Sequence, residues 1–111
     1  MKHVVIRYRV KREHVDKVKE AIVEFIDAVR RYEDGTLAYE SFQHKNKVSF
    51  MHIMTFADQE AEDLHRNSVY VKKFVKILYP RCSRKPIFTD LNLVRSNRIG
   101  EIRESNKKSK R

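Results

Sequence analysis

The stretch TLAYESFQHKNKVSFMHIMTF, Thr36 to Phe56, decides the fold. Its two halves, Thr36–His44 and Lys47–Phe56, are rich in aromatic and β-branched residues, and the polar turn Lys45-Asn46-Lys47, whose last residue opens the second half, joins them. That pattern predicts two strands paired as an antiparallel hairpin.

Working outward, the text before the hairpin changes period. Val4, Ile6, Tyr8 and Val10 fall on one face of a strand, with Val5, Arg7 and Arg9 on the other. From Glu13 the apolar residues Val15, Val18, Ile22, Phe25, Ile26 and Val29 recur at three- and four-residue spacing, which predicts an amphipathic helix. It should end near Arg31 or Tyr32, with Gly35 free to take a positive φ in the exit. After the hairpin, Asp58 reads as an N-cap, with Glu60 and Glu62 in the first turn where the helix dipole favours acids. A second helical start at Asn67 or Ser68 leads into a stripe of Val71, Phe74, Val75 and Leu78, and Pro80 stops it. Ile87–Ser96 is expected to be the last strand. The order is β-α-β-β-α-β, an α+β, ferredoxin-like arrangement with the helices on one face of an antiparallel sheet.

Composition agrees with one domain, residues 1–96, followed by a different kind of text. With 41% hydrophobic and 36% charged residues, two glycines and two prolines in 111 residues, loops must be short and the surface ionic. Residues 97–111 carry six basic and two acidic side chains, +4 of the total charge of +10. This basic tail is expected to be disordered, and nonspecific contacts by it are the one nucleic-acid role expected. A lone cysteine, Cys82, forms no internal disulfide, and no apolar run approaches membrane-spanning length. The opening MKHVVIRYRV is too short and basic for a signal peptide, so the expected compartment is the cytoplasm.

The other sheet face poses a problem. The second hairpin strand offers Phe50, His52, Met54 and Phe56 to one side but Met51, Ile53 and Thr55 to the other. A sheet with one wet face should alternate more cleanly, so the second face needs a cover. A second copy of the chain is the simplest one, giving a homodimer packed sheet against sheet, with Arg7, Arg9 and Glu40 available to pair across it.

Phe56-x-Asp58, Glu60-Ala61, His65 four residues after that alanine, Ser68 three further on and Phe74 in the next helix form a pattern that resembles the antibiotic biosynthesis monooxygenase family. The resemblance spans about residues 2 to 96 and implies a dimeric α/β barrel with a pocket in each subunit between sheet and helices. Its enzymes oxidise aromatic quinols or polyketide anthrones with molecular oxygen, without metal or flavin. Carried onto this chain, the resemblance makes His65 the candidate catalytic base, and Tyr8, Tyr39 and His52 its polar partners. Phe25, Phe56 and Phe74 become pocket walls, and the partner a small aromatic substrate. On the residues alone, two readings of His65 stay open: a pocket base, or a side chain that caps its short helix or packs where two helices meet. Core packing is likewise open for the aromatics. Family members often have Trp where Phe56 stands and Glu where Met54 stands, so no role is carried over from those positions. A haem-degrading branch uses a first-strand Asn, a Trp and a later His. This chain has Ile6 in that strand, no tryptophan, and no histidine after His65.

Other chemistries lack their parts. His3, His14, His44, His52 and His65 never occur at metal-site spacing, so no metal is expected. Cys82 lies amid positive charge able to lower a thiol pKa, but no base is adjacent to it. An RNA recognition motif shares this topology, yet the positions for its stacking aromatics fall on Ser49 and Met51, with Val48 where its glycine belongs. A non-catalytic dimeric module binding a small aromatic or lipid-like ligand remains the alternative to an enzyme, because both need the same pocket.

Overall fold

The computed structural model describes residues 1–98. Its elements run β1 (Lys2–Val10), α1 (Val15–Tyr32), β2 (Thr36–Gln43), β3 (Ser49–Phe56), α2 (Gln59–Arg66), α3 (Val69–Leu78) and β4 (Cys82–Leu91), with 3-10 turns at Arg12–His14 and Tyr79–Arg81. The strands form one antiparallel sheet in the order β2-β3-β1-β4. This is the ferredoxin-like α+β fold. No helix among the described residues is long and apolar enough to cross a membrane. The basic stretch from residue 99 onward, with its expected disorder and nucleic-acid contacts, lies outside the described residues.

The helices cover one sheet face because their apolar stripes match its inward residues. Val18, Ala21, Ile22, Phe25 and Val29 of α1 are buried, as are Phe74 and Leu78 of α3. They pack on Tyr8, Val10 and Phe50 of the sheet, while Val4, Met54 and Phe56 form a smaller cluster at the other end. Both later helices have the expected caps: the Asp58 side chain accepts from the Ala61 N–H, and Ser68 Oγ accepts from the Val71 N–H.

Two expectations are overturned. Gly35 does not take a positive φ, and no described glycine does. What Gly35 supplies is space, since a Cβ there would lie 2.6 Å from the Cβ of Ala61, so α2 can approach the α1–β2 turn closely. The left-handed residue is instead Lys47 (φ 74°) in the hairpin turn, where Asn46 Oδ1 accepts from the N–H groups of Val48 and Ser49. The last strand also starts and ends earlier than the predicted Ile87–Ser96. It begins at Cys82 and stops at Leu91, and residues 92–98 are irregular. Pro86 does not exclude this strand, because β4 is an edge strand and its register against β1 slips between the Arg7–Ile87 and Arg9–Arg84 pairs. A residue without an N–H is tolerated at such a bulge.

Candidate active site

A cavity of about 350 Å³ lies between the sheet and the helices. Its floor comes from all four strands: Val4, Ile6 and Tyr8 of β1, His52, Met54 and Phe56 of β3, Tyr39 of β2, and Phe88 of β4. Period-two alternation turns these side chains to the helical side. Phe25 of α1, His65 of α2 and Phe74 of α3 close it from above. All seven residues singled out from the sequence, Tyr8, Phe25, Tyr39, His52, Phe56, His65 and Phe74, therefore line one cavity.

The aromatic wall is ordered by ring contacts. Phe25 stacks on Phe74 at 4.7 Å and meets Tyr39 edge-on at 5.3 Å, and Phe56 lies 5.3 Å from the His65 ring. Between these walls lie two polar stations.

The first station is His52, 1% exposed, between two phenols. Its Nε2 is 2.7 Å from the Tyr8 hydroxyl and its Nδ1 is 2.9 Å from that of Tyr39. Burial pushes the His52 pKa down to about 4, so the ring is neutral at neutral pH. Both tyrosines are held well above the ordinary phenol range, chiefly by burial. A neutral imidazole donates one hydrogen and accepts one. One tyrosine therefore donates to His52 and the other accepts from it, and the acceptor keeps its own O–H hydrogen to offer elsewhere.

The second station is His65, 6% exposed, whose Nδ1 lies 2.9 and 3.1 Å from the two carboxylate oxygens of Glu33. Glu33 is the residue just past α1, itself only 6% exposed. It also accepts from Thr36 Oγ at 2.5 Å and from the Tyr70 hydroxyl. Burial lowers the His65 pKa, with the Glu33 carboxylate opposing it. Burial and the Glu33 hydrogen bond together push Tyr70 up to about 12. His65 Nε2 has no protein partner among the described residues. At the cavity's edge, buried Glu62 pairs with Arg66 at 2.7 Å and with Lys2 at 3.5 Å.

The antibiotic biosynthesis monooxygenase family matches residues 1–77 of this sequence. The chain belongs to that family. A crystal structure of an antibiotic biosynthesis monooxygenase superposes with a TM-score of 0.79 at 22% identity, covering 86% of this chain and 100% of that one. A Mycobacterium tuberculosis protein gives 0.79 at 16% identity, covering 87% and 98%. A conserved protein from Methanosarcina mazei Go1 gives 0.75 at 18% identity, covering 82% and 90%. No curated protein matches the chain. At these identities the structural likeness speaks for the fold. The family match runs from β1 through most of α3, so it contains every residue of both polar stations.

Sequence reasoning missed Glu33, Thr36 and Tyr70: Thr36 is only three residues from Glu33, but no local spacing links Glu33 to His65 or Tyr70. It also passed over Glu62 with Arg66, a pair that i,i+4 spacing on a helix could have signalled. Cys82 is half-buried, and burial pushes its thiol up despite the neighbouring cations.

Proposed function

We propose that this family member is a cofactor-independent monooxygenase acting on a small aromatic quinol or a polyketide-like phenol. The observation that carries the proposal is the pairing of an unengaged imidazole nitrogen, on His65, with an uncharged phenol-imidazole-phenol set, within one aromatic cavity. At about 350 Å³ the cavity sits near the lower end of the ~300–1,000 Å³ range of small-molecule sites, which suits one compact fused-ring ligand.

His65 Nε2 takes the proton of a substrate hydroxyl. The resulting phenolate is electron-rich and gives one electron to O2, and the radical and superoxide join as a C–O bond at the ring. The peroxide O–O bond then breaks with release of water, the ring loses a C–H proton, and His65 returns its own. Quinol plus O2 thus becomes hydroxyquinone plus water. The free O–H of the Tyr8–His52–Tyr39 set donates to the developing oxyanion, and the apolar walls keep water away.

The same proposal includes a homodimer. The sheet face away from the helices carries Met51, Ile53, Phe42 and Ile87, and Phe42 and Ile87 are 46% and 68% exposed. A second copy packed on this face would complete the barrel.

Oxygen uptake with a panel of one- to three-ring quinols, run beside thermal melts with the same compounds, tests the reading. Oxygen consumption with a quinol that also raises the melt supports it. Stabilisation without oxygen uptake favours a non-catalytic binding module, because a ligand at a hundred times its Kd stabilises by roughly 2.7 kcal/mol whether or not it reacts.

A further inference from the structure

We propose that Glu33 is the positioning residue of His65: its carboxylate fixes the imidazole in the tautomer that leaves Nε2 bare toward the cavity, and holds the imidazolium once Nε2 has taken a proton. The inference rests on reading His65 as the base and gives that base the means to act.

Proton accounting supports the tautomer. Thr36 Oγ and the Tyr70 hydroxyl both donate to Glu33, and His65 Nδ1 lies within 3.1 Å of both carboxylate oxygens. Each carboxylate oxygen already accepts a hydrogen, Oε1 from Thr36 and Oε2 from Tyr70, so neither offers one of its own to His65. The hydrogen between Glu33 and His65 therefore sits on Nδ1. A neutral imidazole so protonated carries its lone pair on Nε2, which has no protein partner among the described residues.

The place of Glu33 argues for more than a structural pin. It follows the last turn of α1, where the helix dipole disfavours a negative charge, and it is buried. Three donors converging from β2, α2 and α3 hold the charge in that unfavourable position. Its proximity to Nδ1 stabilises a positive imidazole where water is largely excluded and attraction is stronger than in bulk. His52 is the internal contrast. It is still more deeply buried, its ring nitrogens meet two tyrosine hydroxyls and no carboxylate, and its pKa falls to about 4, too low for a base at neutral pH. Besides Glu33 and Tyr70, the titratable and charged groups around His65 are Tyr39 from β2, and Glu62 and Arg66 from its own helix.

Nitrogen-15 NMR of the full chain with labelled histidine, His65 being assigned with His65→Gln, tests the proposal without any substrate. In the wild type the bare ring nitrogen should be Nε2. In Glu33→Gln the carboxamide has one acceptor oxygen and brings hydrogens of its own, so both tautomers should appear and the His65 titration should move to lower pH. Tyr70→Phe, which keeps the carboxylate, should retain the wild-type tautomer. With a quinol that turns over, Glu33→Gln should lose at least about tenfold in kcat at unchanged KM, part of the ~10²–10⁴-fold a general base contributes. The acid limb of its pH–rate profile should also shift to lower pH. A bare Nδ1 in the wild type overturns the proposal, as does a Glu33→Gln variant with wild-type tautomer and titration. If no quinol is oxidised, the proposed reaction fails while the NMR result still decides the role of Glu33. If Glu33→Gln does not fold, the wild-type and Tyr70→Phe spectra decide it.

Discussion

His65 Nδ1 lies 2.9 Å from Glu33 Oε1, and this one contact ties α2 to the end of α1 at the edge of the cavity. Its loss should separate chemistry from folding. His65→Ala leaves Glu33 with the donors Thr36 and Tyr70, so the carboxylate is not stranded. The expected stability loss is about 1–3 kcal/mol, the usual range for removing one partner of a buried polar pair. Turnover of a quinol should fall by ~10²–10⁴-fold. Steady-state oxygen uptake beside a thermal melt checks both, and unchanged turnover removes His65 from the mechanism.

Gly35 sets the distance over which that contact forms. Because a Cβ there would meet the Ala61 Cβ at 2.6 Å, Gly35→Ala should push α2 away from the α1–β2 turn. Overpacking of this kind costs about 1–3 kcal/mol. His65 is one helical turn beyond Ala61, so the displacement should also stretch the pair with Glu33 and lower activity by more than the melt alone would suggest. Ala61→Gly in the same chain removes the clash and should restore activity. It should leave a residual loss of about 1 kcal/mol from glycine in a helix. A double variant no more active than Gly35→Ala would place the cause elsewhere.

His52 should make the protein less stable in mild acid. Its folded pKa, about 4, lies below the ordinary histidine value of 6.5. Between those values the unfolded chain takes up a proton that the folded one refuses. The contribution of His52 is therefore whole above about pH 6.5, shrinks as pH falls toward 4, and levels off below it. The slope for one such group is at most ~1.4 kcal/mol per pH unit. His52→Gln keeps a donor and an acceptor for the two tyrosines but does not titrate. Urea midpoints measured from pH 4 to 7 should fall less steeply in that variant than in the wild type, and equal slopes would mean that His52 is not the titrating group.

The sequence was most informative where periodicity carried the signal. Alternation in β1 and β3 placed Tyr8, His52 and Phe56 on the helical side, and the α1 stripe placed Phe25 above them. The boundary of β4 was missed because Pro86 and the polar Ser83-Arg84-Lys85 read as loop, although an edge strand with a bulge accepts both. Glu33 was hidden for a different reason. It lies in the helix exit, and two of its partners, 32 residues away at His65 and 37 at Tyr70, meet it only after the sheet has brought α1, α2 and α3 together. Such a charge cluster leaves no period in the chain.

The sheet face away from the helices offers the last test. Residues paired across adjacent antiparallel strands share a face, so Phe42, Met51, Arg7 and Ile87 form one row across all four strands. The sheet spans four strands of roughly eight residues, about 19 by 26 Å and so roughly 500 Å² before side-chain relief. That is of the order of the ~800 Å² per partner in a standard interface. Ile87 and Phe42 stand at opposite edges of the row and are 68% and 46% exposed, so changing them barely disturbs the isolated subunit. Glutamate at both positions should convert a dimer into a monomer in sedimentation velocity at micromolar concentration, because a buried unpaired carboxylate costs several kcal/mol. The wild-type melting temperature should rise with protein concentration, and that dependence should vanish in the double variant. A double variant that still sediments as a dimer would show that the copies meet on some other surface, and the cavity would then have to function without a closed barrel around it.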